Sequence, residues 1–481
     1  MIESPLLPNL TGYLAGRWAE SLGGATLAVV SPANGELLGR VSAAGGEQAA
    51  SAVEAAASVL ARPAPPAQRQ VWLLAIHDAL LANQAELARI ITLENGKPLK
   101  ESVAEVEYAA GFFGFFATQL DHLAPRALPD RIRGCHWTVH QRPAGVAALI
   151  TPWNFPLAML AKKLSAALAA GCSVVTKPAS ATPLSAIALW TLLDRLALPA
   201  GLANLVIGPA GPLSEVFCGH PAVRIVSFTG STEVGQRLAQ QAAPHFKRLA
   251  LELGGNAPFL VFEDADLEAA VAALIANKFR AGGQTCVCTN RVLVQVGIVG
   301  RFAERVAERV ARLKVGDGLD PATDVGPLIN RDGFDKVAAH VANALAGGAR
   351  RLAGGDPPRP AQAWGAFYPP TVLVGVEPSM QVCAEETFGP VIAIGGFNDE
   401  AEAVRLANGT PYGLAAYLFT RDAERANRVA ARLRFGHVGV NTGTGPTPEA
   451  PFGGMKRSGY GREGGLEGLL EFCEPQAIAA V

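Results

Sequence analysis

The fold class read from the 481-residue chain is α/β, with parallel sheets covered by helices on both faces. Three observations predict it. From about Val146, short apolar runs alternate with helical stretches: GVAALI, LAMLAKKLSAALAA, CSVVTK, PLSAIALWTLLDRLA, ANLVIG, VRIVSFTG, STEVGQRLAQQAA and KRLALEL. Strand and helix in that order are the pattern of a parallel sheet. A second alternating series begins at APFLVF (257–262) and runs to HVGVN (437–441), giving two α/β units with a boundary near ELGG (252–255). The third observation is the chemistry just past the strands of the first unit. TPWNFP succeeds GVAALI, PAS succeeds CSVVTK, TGST succeeds VRIVSF, and the last strand carries Glu252 into a Gly-Gly pair. Polar, Gly- and Pro-bearing groups therefore collect on the edge where open parallel sheets bind ligands.

The first 45 or so residues, with the turn-rich SPANGELLG (31–39), read as short strands and loops. EQAASAVEAAASVL (47–60) is a strong helix former, stopped by PAPPAQ (63–68). One long amphipathic helix is predicted from Gln70 to a C-terminal signal at Gly96. ESVAEVEYAAGFFGFFATQL (101–120) predicts another, with its Phe stripe as core packing. CHWTVHQRPAG (135–145) alternates as a strand does, FCEPQAIAAV (472–481) supplies a last strand, and 343–365 reads as a Gly/Pro-rich surface excursion.

Composition excludes several function classes. Lys+Arg (41) nearly cancel Asp+Glu (42), so no overall field favours nucleic acid or an anionic membrane. The N-terminus MIESPLLPNL lacks a basic region followed by an apolar core, and no apolar run approaches the roughly 18 residues of a membrane span. A cytoplasmic protein is expected. Seven scattered cysteines, with no C-x-x-C pair and no histidine cluster, advertise neither a secreted disulfide framework nor a zinc site. No metal is expected.

Within that frame, GGQTCVCTNR (282–291) is the most reactive-looking stretch, with Cys286 and Cys288 one residue apart. If the segment is extended, both side chains point to one face, and Cys288 becomes a resolving partner in a redox switch with Cys286. The alternative is a buried small hydrophobe, which free cysteine commonly is. TGST is either an ordinary helix cap or a phosphate cradle at a helix N-terminus. The G-x-G-x-x-G fingerprint is absent there, and no single one of these signals is specific.

Together they are. PWNFP (152–156), KPAS (177–180), FTGSTEVG (228–235), ELGG (252–255), GQTC (283–286), EETFGPV (385–391) and PFGG (451–454) resemble, in order, the motif set of the aldehyde dehydrogenase superfamily. KFRAGGQTCVCTNR (278–291) and KVGDGLDPATDVGPLIN (314–330) are most similar to its succinate-semialdehyde dehydrogenase branch. The resemblance implies a Rossmann-like cofactor domain (1–123 and 142–252), an α/β catalytic domain (253–454) and a small β oligomerisation element (124–141 and 455–481). It also implies a homodimer or homotetramer acting on a small-molecule aldehyde with NAD or NADP.

By the same resemblance, Cys286 is the nucleophile that forms a thiohemiacetal and then a thioester. Asn154 pairs with the Cys286 backbone N–H as oxyanion donor, and Glu252 is the general base for hydrolysis. Lys177 and Ser180 fall at the adenine ribose, Gly230 and Ser231 at the pyrophosphate, Glu386 at the nicotinamide ribose and Phe388 against the ring. Trp153 and Leu253 supply backbone contacts. Ser180, where strictly NAD-dependent relatives often carry Glu, leaves NADP admissible with Lys177 as its cation. Arg280 matches the branch's carboxylate-binding arginine. Lys162 stands where the branch has a second arginine, and Pro446 and Thr447 where it has a serine pair, so Lys162 and Thr447 are expected on a modified pocket rim. Another semialdehyde such as glutarate semialdehyde, a general aliphatic aldehyde, CoA acylation and a catalytically inactive relative are the alternatives. The presence of Glu252, Cys286 and Asn154 argues against the last two.

Overall fold

The computed structural model describes residues 2–129, 132–356 and 364–481. Among them, the largest sheet has five parallel strands at its centre: Val146–Ile150, Ser173–Lys177, Ala203–Leu205, Val223–Thr229 and Arg248–Glu252. The first three lie side by side in chain order; the fourth returns to pair on the free side of the first, and the fifth lies outside it. The strand order reverses beside Val146–Ile150, and that reversal opens a crevice at the carboxyl ends. Gly459–Tyr460 pairs antiparallel on one flank, and the hairpin of Gly12–Leu14 and Arg17–Ala19 closes the other.

These strands read as continuous apolar runs because both faces are covered. Ala147 and Leu149 enter one core cluster with Phe113, Leu160 and Trp190; Val146, Ala148 and Ile150 enter another with Val53 and Phe217. Buried parallel strands have no solvent face on which to alternate. The second sheet is built likewise. Ala257–Val261, Thr289–Gln295, Thr371–Val374, Val391–Phe397, Ala415–Phe419 and His437–Val440 run parallel, and the chain crosses to it from the first sheet between Glu252 and Ala257.

The N-terminal half holds the strands and loops expected, then the helix Gly46–Val59. The long amphipathic stretch is two helices, Pro66–Ala82 and Gln84–Asn95, a correction to the single helix expected. Asn83 breaks it: its side-chain amide donates to the Ala79 carbonyl at 2.8 Å, and its own backbone leaves the helical region. The prolines stop the preceding helix, but Pro66 begins the next one, where a missing N–H is harmless. Gly96 closes the second helix in the left-handed region at φ +89°. The Phe stripe of Leu99–Ala117 is core: Phe112, Phe113 and Phe116 are each at most 1% exposed.

The surface excursion also needs correcting. Its segment Arg350–Ala353 is an edge strand, antiparallel to Thr371–Val374; residues 357–363 lie outside the described residues. Strand His136–Pro143 pairs along its whole length with Cys473–Ala480, and on its other side with Arg126–Ala127.

Candidate active site

At the crevice lies a cavity of about 370 Å³. Trp153, Asn154, Gly230, Ser231, Leu253, Cys286, Glu386 and Phe388 are in its wall. A smaller cavity of about 40 Å³ continues behind it, walled by Tyr108, Phe155, Lys162, Arg280 and Phe452. Asn154, Thr229 and Cys286 belong to both walls, so the Cys286 thiol stands where the two chambers meet.

The turn carrying Cys286 is shaped by the three residues before Gln284. Ala281, Gly282 and Gly283 succeed one another in the left-handed region, and a Cβ on Gly283 would sit 2.2 Å from the Gly389 carbonyl oxygen. Only glycine fits there. The Ala281 N–H donates to Glu101 at 2.7 Å, the Ile329 N–H to Gln284 Oε1 at 2.9 Å, and the Tyr417 hydroxyl to the Val287 carbonyl at 2.8 Å. Burial, with Glu386 next, pushes the Cys286 thiol up to about 12, while Lys162 pulls it down.

Asn154 is held from two sides. Its Nδ2 donates to the Gln284 carbonyl at 2.9 Å; among the described residues the second amide proton is uncommitted and the buried Oδ1 has no partner. Its own carbonyl accepts from Lys97 Nζ at 2.6 Å. Lys97 is ion-paired to Glu105 at 2.6 Å, and Glu105 in turn accepts the Leu157 and Ala158 N–H groups at 2.9 and 3.1 Å. This buried pair positions the loop, and sequence reasoning missed it. Its only signal was a glutamate in phase with the buried face of a helix.

Glu252 ends its strand beside Thr229, 3% exposed, with neither carboxylate oxygen hydrogen-bonded among the described residues. Burial, then Glu463, raises its pKa well above the ordinary carboxylate range. Its side chain lies off the walls of both cavities.

On the cofactor side, Ser231 caps the helix Thr232–Ala242, accepting from the Val234 N–H at 3.3 Å, so TGST is a cap and a cavity wall at once. Glu386 accepts the Gly255 N–H at 3.0 Å, and burial lifts it to about 7. Phe388, at φ +55°, packs edge-on against Trp153 with centroids 5.6 Å apart. Lys177 and Ser180 lie along the same sheet edge but outside the cavity wall. Lys177 is 4% exposed, its ammonium donating only to the Pro178 carbonyl among the described residues, and burial lowers it to about 8. Ser180 donates to the Gly208 carbonyl at 3.4 Å. Lys336 and Asn330 also line the cavity and were not anticipated, although INRDG (329–333) carries an N-cap signal that the structure uses.

Three further expectations meet the following geometry. Lys162 is in the wall of the smaller cavity, 3% exposed and ion-paired to Glu463 at 2.7 Å. Thr447 is exposed and off the wall; its carbonyl closes a turn with the Ala450 N–H, and Pro446 faces the cavity instead. The expectation for Cys288 assumed an extended segment, whereas 285–288 is a turn closed by the Cys288 N–H on the Thr285 carbonyl. Its buried sulfur lies 3.2 Å from the Gly283 carbonyl and 3.6 Å from Lys278 Nζ. Arg280 is in the wall of the smaller cavity, half-buried, its guanidinium 4.6 Å over the Phe155 ring, with no carboxylate in ion-pair reach among the described residues. No group of histidine, cysteine and carboxylate residues among those described has the spacing of a metal site.

The nicotinamide half of a dinucleotide suits the larger chamber: a capped helix N-terminus borders it, and the buried Thr229 hydroxyl and Asn154 Oδ1 in its wall have no partner among the described residues. Comparison with known proteins agrees. Residues 18–478 match the family model described as the aldehyde dehydrogenase family. The chain is 45% identical to a succinate-semialdehyde dehydrogenase [NADP(+)] of Escherichia coli (strain K12), over 95% of each chain. It is 44% identical to a glutarate-semialdehyde dehydrogenase of Pseudomonas putida, over 96% of each. The crystal structure of an oxidoreductase from Marinobacter aquaeolei is 54% identical, covers both chains in full and superposes with a TM-score of 0.97. Motifs, fold and near-complete alignment converge: the chain belongs to the aldehyde dehydrogenase family.

Proposed function

We propose that the protein oxidises succinate semialdehyde to succinate with NAD or NADP. The observation that carries this reading is Cys286 at the junction of the two chambers, with the unpaired Arg280 in the wall of the smaller one. A guanidinium there suits an aldehyde bearing a carboxylate at its far end. The relatives named for succinate and glutarate semialdehyde support the same class.

Bound in the larger chamber, an oxidised nicotinamide supplies the two-electron acceptor. The chain's own residues act before and after that oxidation. The Cys286 thiolate adds to the aldehyde carbon, and the second Asn154 amide proton and the Cys286 backbone N–H hold the developing oxyanion. Once that two-electron oxidation has turned the thiohemiacetal into a thioester, water attacks the acyl carbon and gives its proton to Glu252, and the C–S bond breaks to free the acid and the Cys286 thiolate. Glu252 reaches that water by side-chain rotation, which breaks no hydrogen bond among the described residues, since neither of its oxygens makes one there. Trp153, Gly230, Ser231, Leu253, Glu386 and Phe388 hold the cofactor, with Lys177 and Ser180 at its adenosine end.

We assign 1–123 and 142–252 to cofactor binding, 253–454 to catalysis, and 124–141 with 455–481 to assembly as a homodimer or homotetramer. The three-stranded sheet supports the last assignment, since its final strand is exposed along six of its eight residues. Among the described residues no helix is long and apolar enough to cross a membrane, and all seven cysteines are free, as in a reducing cytoplasm.

The test is a panel of aldehydes differing in length and terminal charge, run with both cofactors, with and without CoA. Succinate semialdehyde should give the highest kcat/KM without CoA, and R280M should raise its KM while leaving uncharged aldehydes unaffected. A wild-type preference for uncharged aldehydes, or activity only with CoA, would overturn the reading.

A further inference from the structure

One helix, Arg331–Ala346, joins parts of the site that lie far apart in the chain. Just before it, the Ile329 N–H holds Gln284 in the Cys286 turn. Gly333, Lys336, Val337 and His340 then succeed one another at the i, i+3, i+4, i+7 spacing that sets side chains along one face. Gly333 and Lys336 line the larger chamber. Val337 packs so closely on Gly389 that a side chain there would collide with it. His340, 3% exposed, meets the loop that carries Glu386 and Phe388.

The two ring nitrogens of His340 have different partners. Nδ1 lies 3.2 Å from Thr387 Oγ1, and Nε2 lies 3.5 Å from the Glu385 carboxylate. Thr387 stands between Glu386 and Phe388 in the chamber wall, and its hydroxyl has no other partner among the described residues. A carboxylate can only accept, so the neutral ring keeps its proton on Nε2 and takes the Thr387 O–H on Nδ1. The Thr387 backbone is pinned separately, its N–H donating to Asn290 at 2.9 Å. The imidazole therefore sets the direction of the Thr387 hydroxyl. Protonation reverses that bond: Nδ1 becomes a donor, the hydroxyl must turn to accept, and the charged ring is drawn to Glu385.

We infer that His340 is a positioning residue for the cofactor: its neutral ring holds Thr387, and with it the loop of Glu386 and Phe388, in the form that binds the nicotinamide half, and protonation loosens that hold. The inference rests on the reading that the cofactor lies against Glu386 and Phe388. Among the described residues the charged groups facing the ring are Lys336 from its own helix and Glu385 from the loop. Burial, then Lys336, lowers the His340 pKa against an upward pull from Glu385, so the ring is neutral at pH 7. Cys383 on the helix Gln381–Ala384 and Tyr368 share a core cluster with Val337 and Val341. Burial raises them to about 11 and about 12, and both stay uncharged.

The experiment titrates oxidised NAD into the substrate-free protein by fluorescence quenching from about pH 5 to about pH 7.5, a window in which Lys177 keeps its charge. Wild type, H340N, H340F and T387V are compared, with kcat and the KM for NAD measured alongside. Asparagine keeps a donor and an acceptor near the Nδ1 position but has no titrating proton. Glu386, lifted to about 7 by burial, titrates in every variant, so the His340 share is the part of the pH dependence that H340N removes. Below about pH 6.5 the wild-type affinity should fall more steeply than that of H340N, with a gap of about fivefold at pH 5, the worth of one hydrogen bond. H340F and T387V should lose about fivefold at pH 7, in the KM for NAD rather than in kcat, and their profiles should run parallel to that of H340N. One shared profile for wild type and H340N would overturn the inference, as would full affinity at pH 7 in T387V. H340N that loses as much as H340F at every pH would reduce His340 to a packing residue, and T387V keeps the test available if H340F does not fold. E386A with undiminished affinity for NAD would refute the placement of the cofactor itself, whatever His340 does.

Discussion

Asn154 donates its side-chain amide to the carbonyl oxygen of Gln284, 130 residues further along the chain, at 2.9 Å. That bond ties the loop after the first parallel strand to the turn bearing Cys286, and it fixes which way the remaining amide proton points. N154A removes an oxyanion donor and the tie together. It should lower kcat by about 10²–10³-fold, the usual loss for one such donor. Cofactor binding, monitored by fluorescence quenching, should change little. A kcat within a few-fold of wild type would show that the oxyanion is held elsewhere.

The Cys286 thiol raises a second expectation. Held near 12 by burial and by Glu386, it is almost wholly protonated at neutral pH in the free protein. The thiolate is the reactive form, so alkylation by iodoacetamide should be slow at neutral pH and climb about tenfold per unit well into the alkaline range. A cationic ring in the larger chamber opposes the Glu386 carboxylate, so oxidised cofactor should accelerate alkylation and reduced cofactor should not. A plateau near neutral pH in the free protein would contradict the burial argument.

Much of this site was legible because of where the strands end. A parallel strand buried on both faces must be uniformly apolar, so VAALI and SVVTK announced themselves, and the residues just past such strands, Asn154 and Gly230 among them, had to lie on one edge. Distant pairings were not legible. The Lys163–Glu463 contact joins residues 300 apart, and nothing local to Lys162 tells that its charge is spent on the same carboxylate. The extended reading of Cys286 to Cys288 failed for a related reason. The turn at 285–288 depends on three left-handed residues before it and on ties to Gln284 and Val287 from other elements, whereas period-two reasoning assumes an extended chain. Asn83 was a smaller failure, a polar side chain competing with the helix from inside an unbroken amphipathic pattern.

Lys177 gives the cofactor preference a pH dependence. Its pKa is lowered to about 8 by burial, so its charge is present below that pH and lost above it. The 2′-phosphate of NADP needs the cation and the ribose hydroxyl of NAD does not. The KM for NADP should therefore rise as pH climbs past about 8 while that for NAD stays nearly flat. K177M should lower the NADP-over-NAD preference by about tenfold or more, the worth of one hydrogen bond to a charged group. Parallel pH profiles for the two cofactors would remove Lys177 from the phosphate.

The last expectation concerns Gly283, which meets the Gly389 carbonyl across the site. A methyl group there would stand 2.2 Å from that oxygen on a backbone at φ +76°, and neither partner is a flexible side chain. G283A must part the Cys286 turn from the loop of Glu386 and Phe388. It should cost about 1–3 kcal/mol in denaturant unfolding and reduce activity far beyond what the surviving folded fraction explains. G23A is the control: nothing lies within 4 Å of its Cβ, and its backbone is not left-handed, so stability should change by no more than about 0.5 kcal/mol. If G283A keeps full activity per folded molecule, the two loops are not mechanically joined, and the close packing at Gly389 has no part in holding Cys286 against the cofactor chamber.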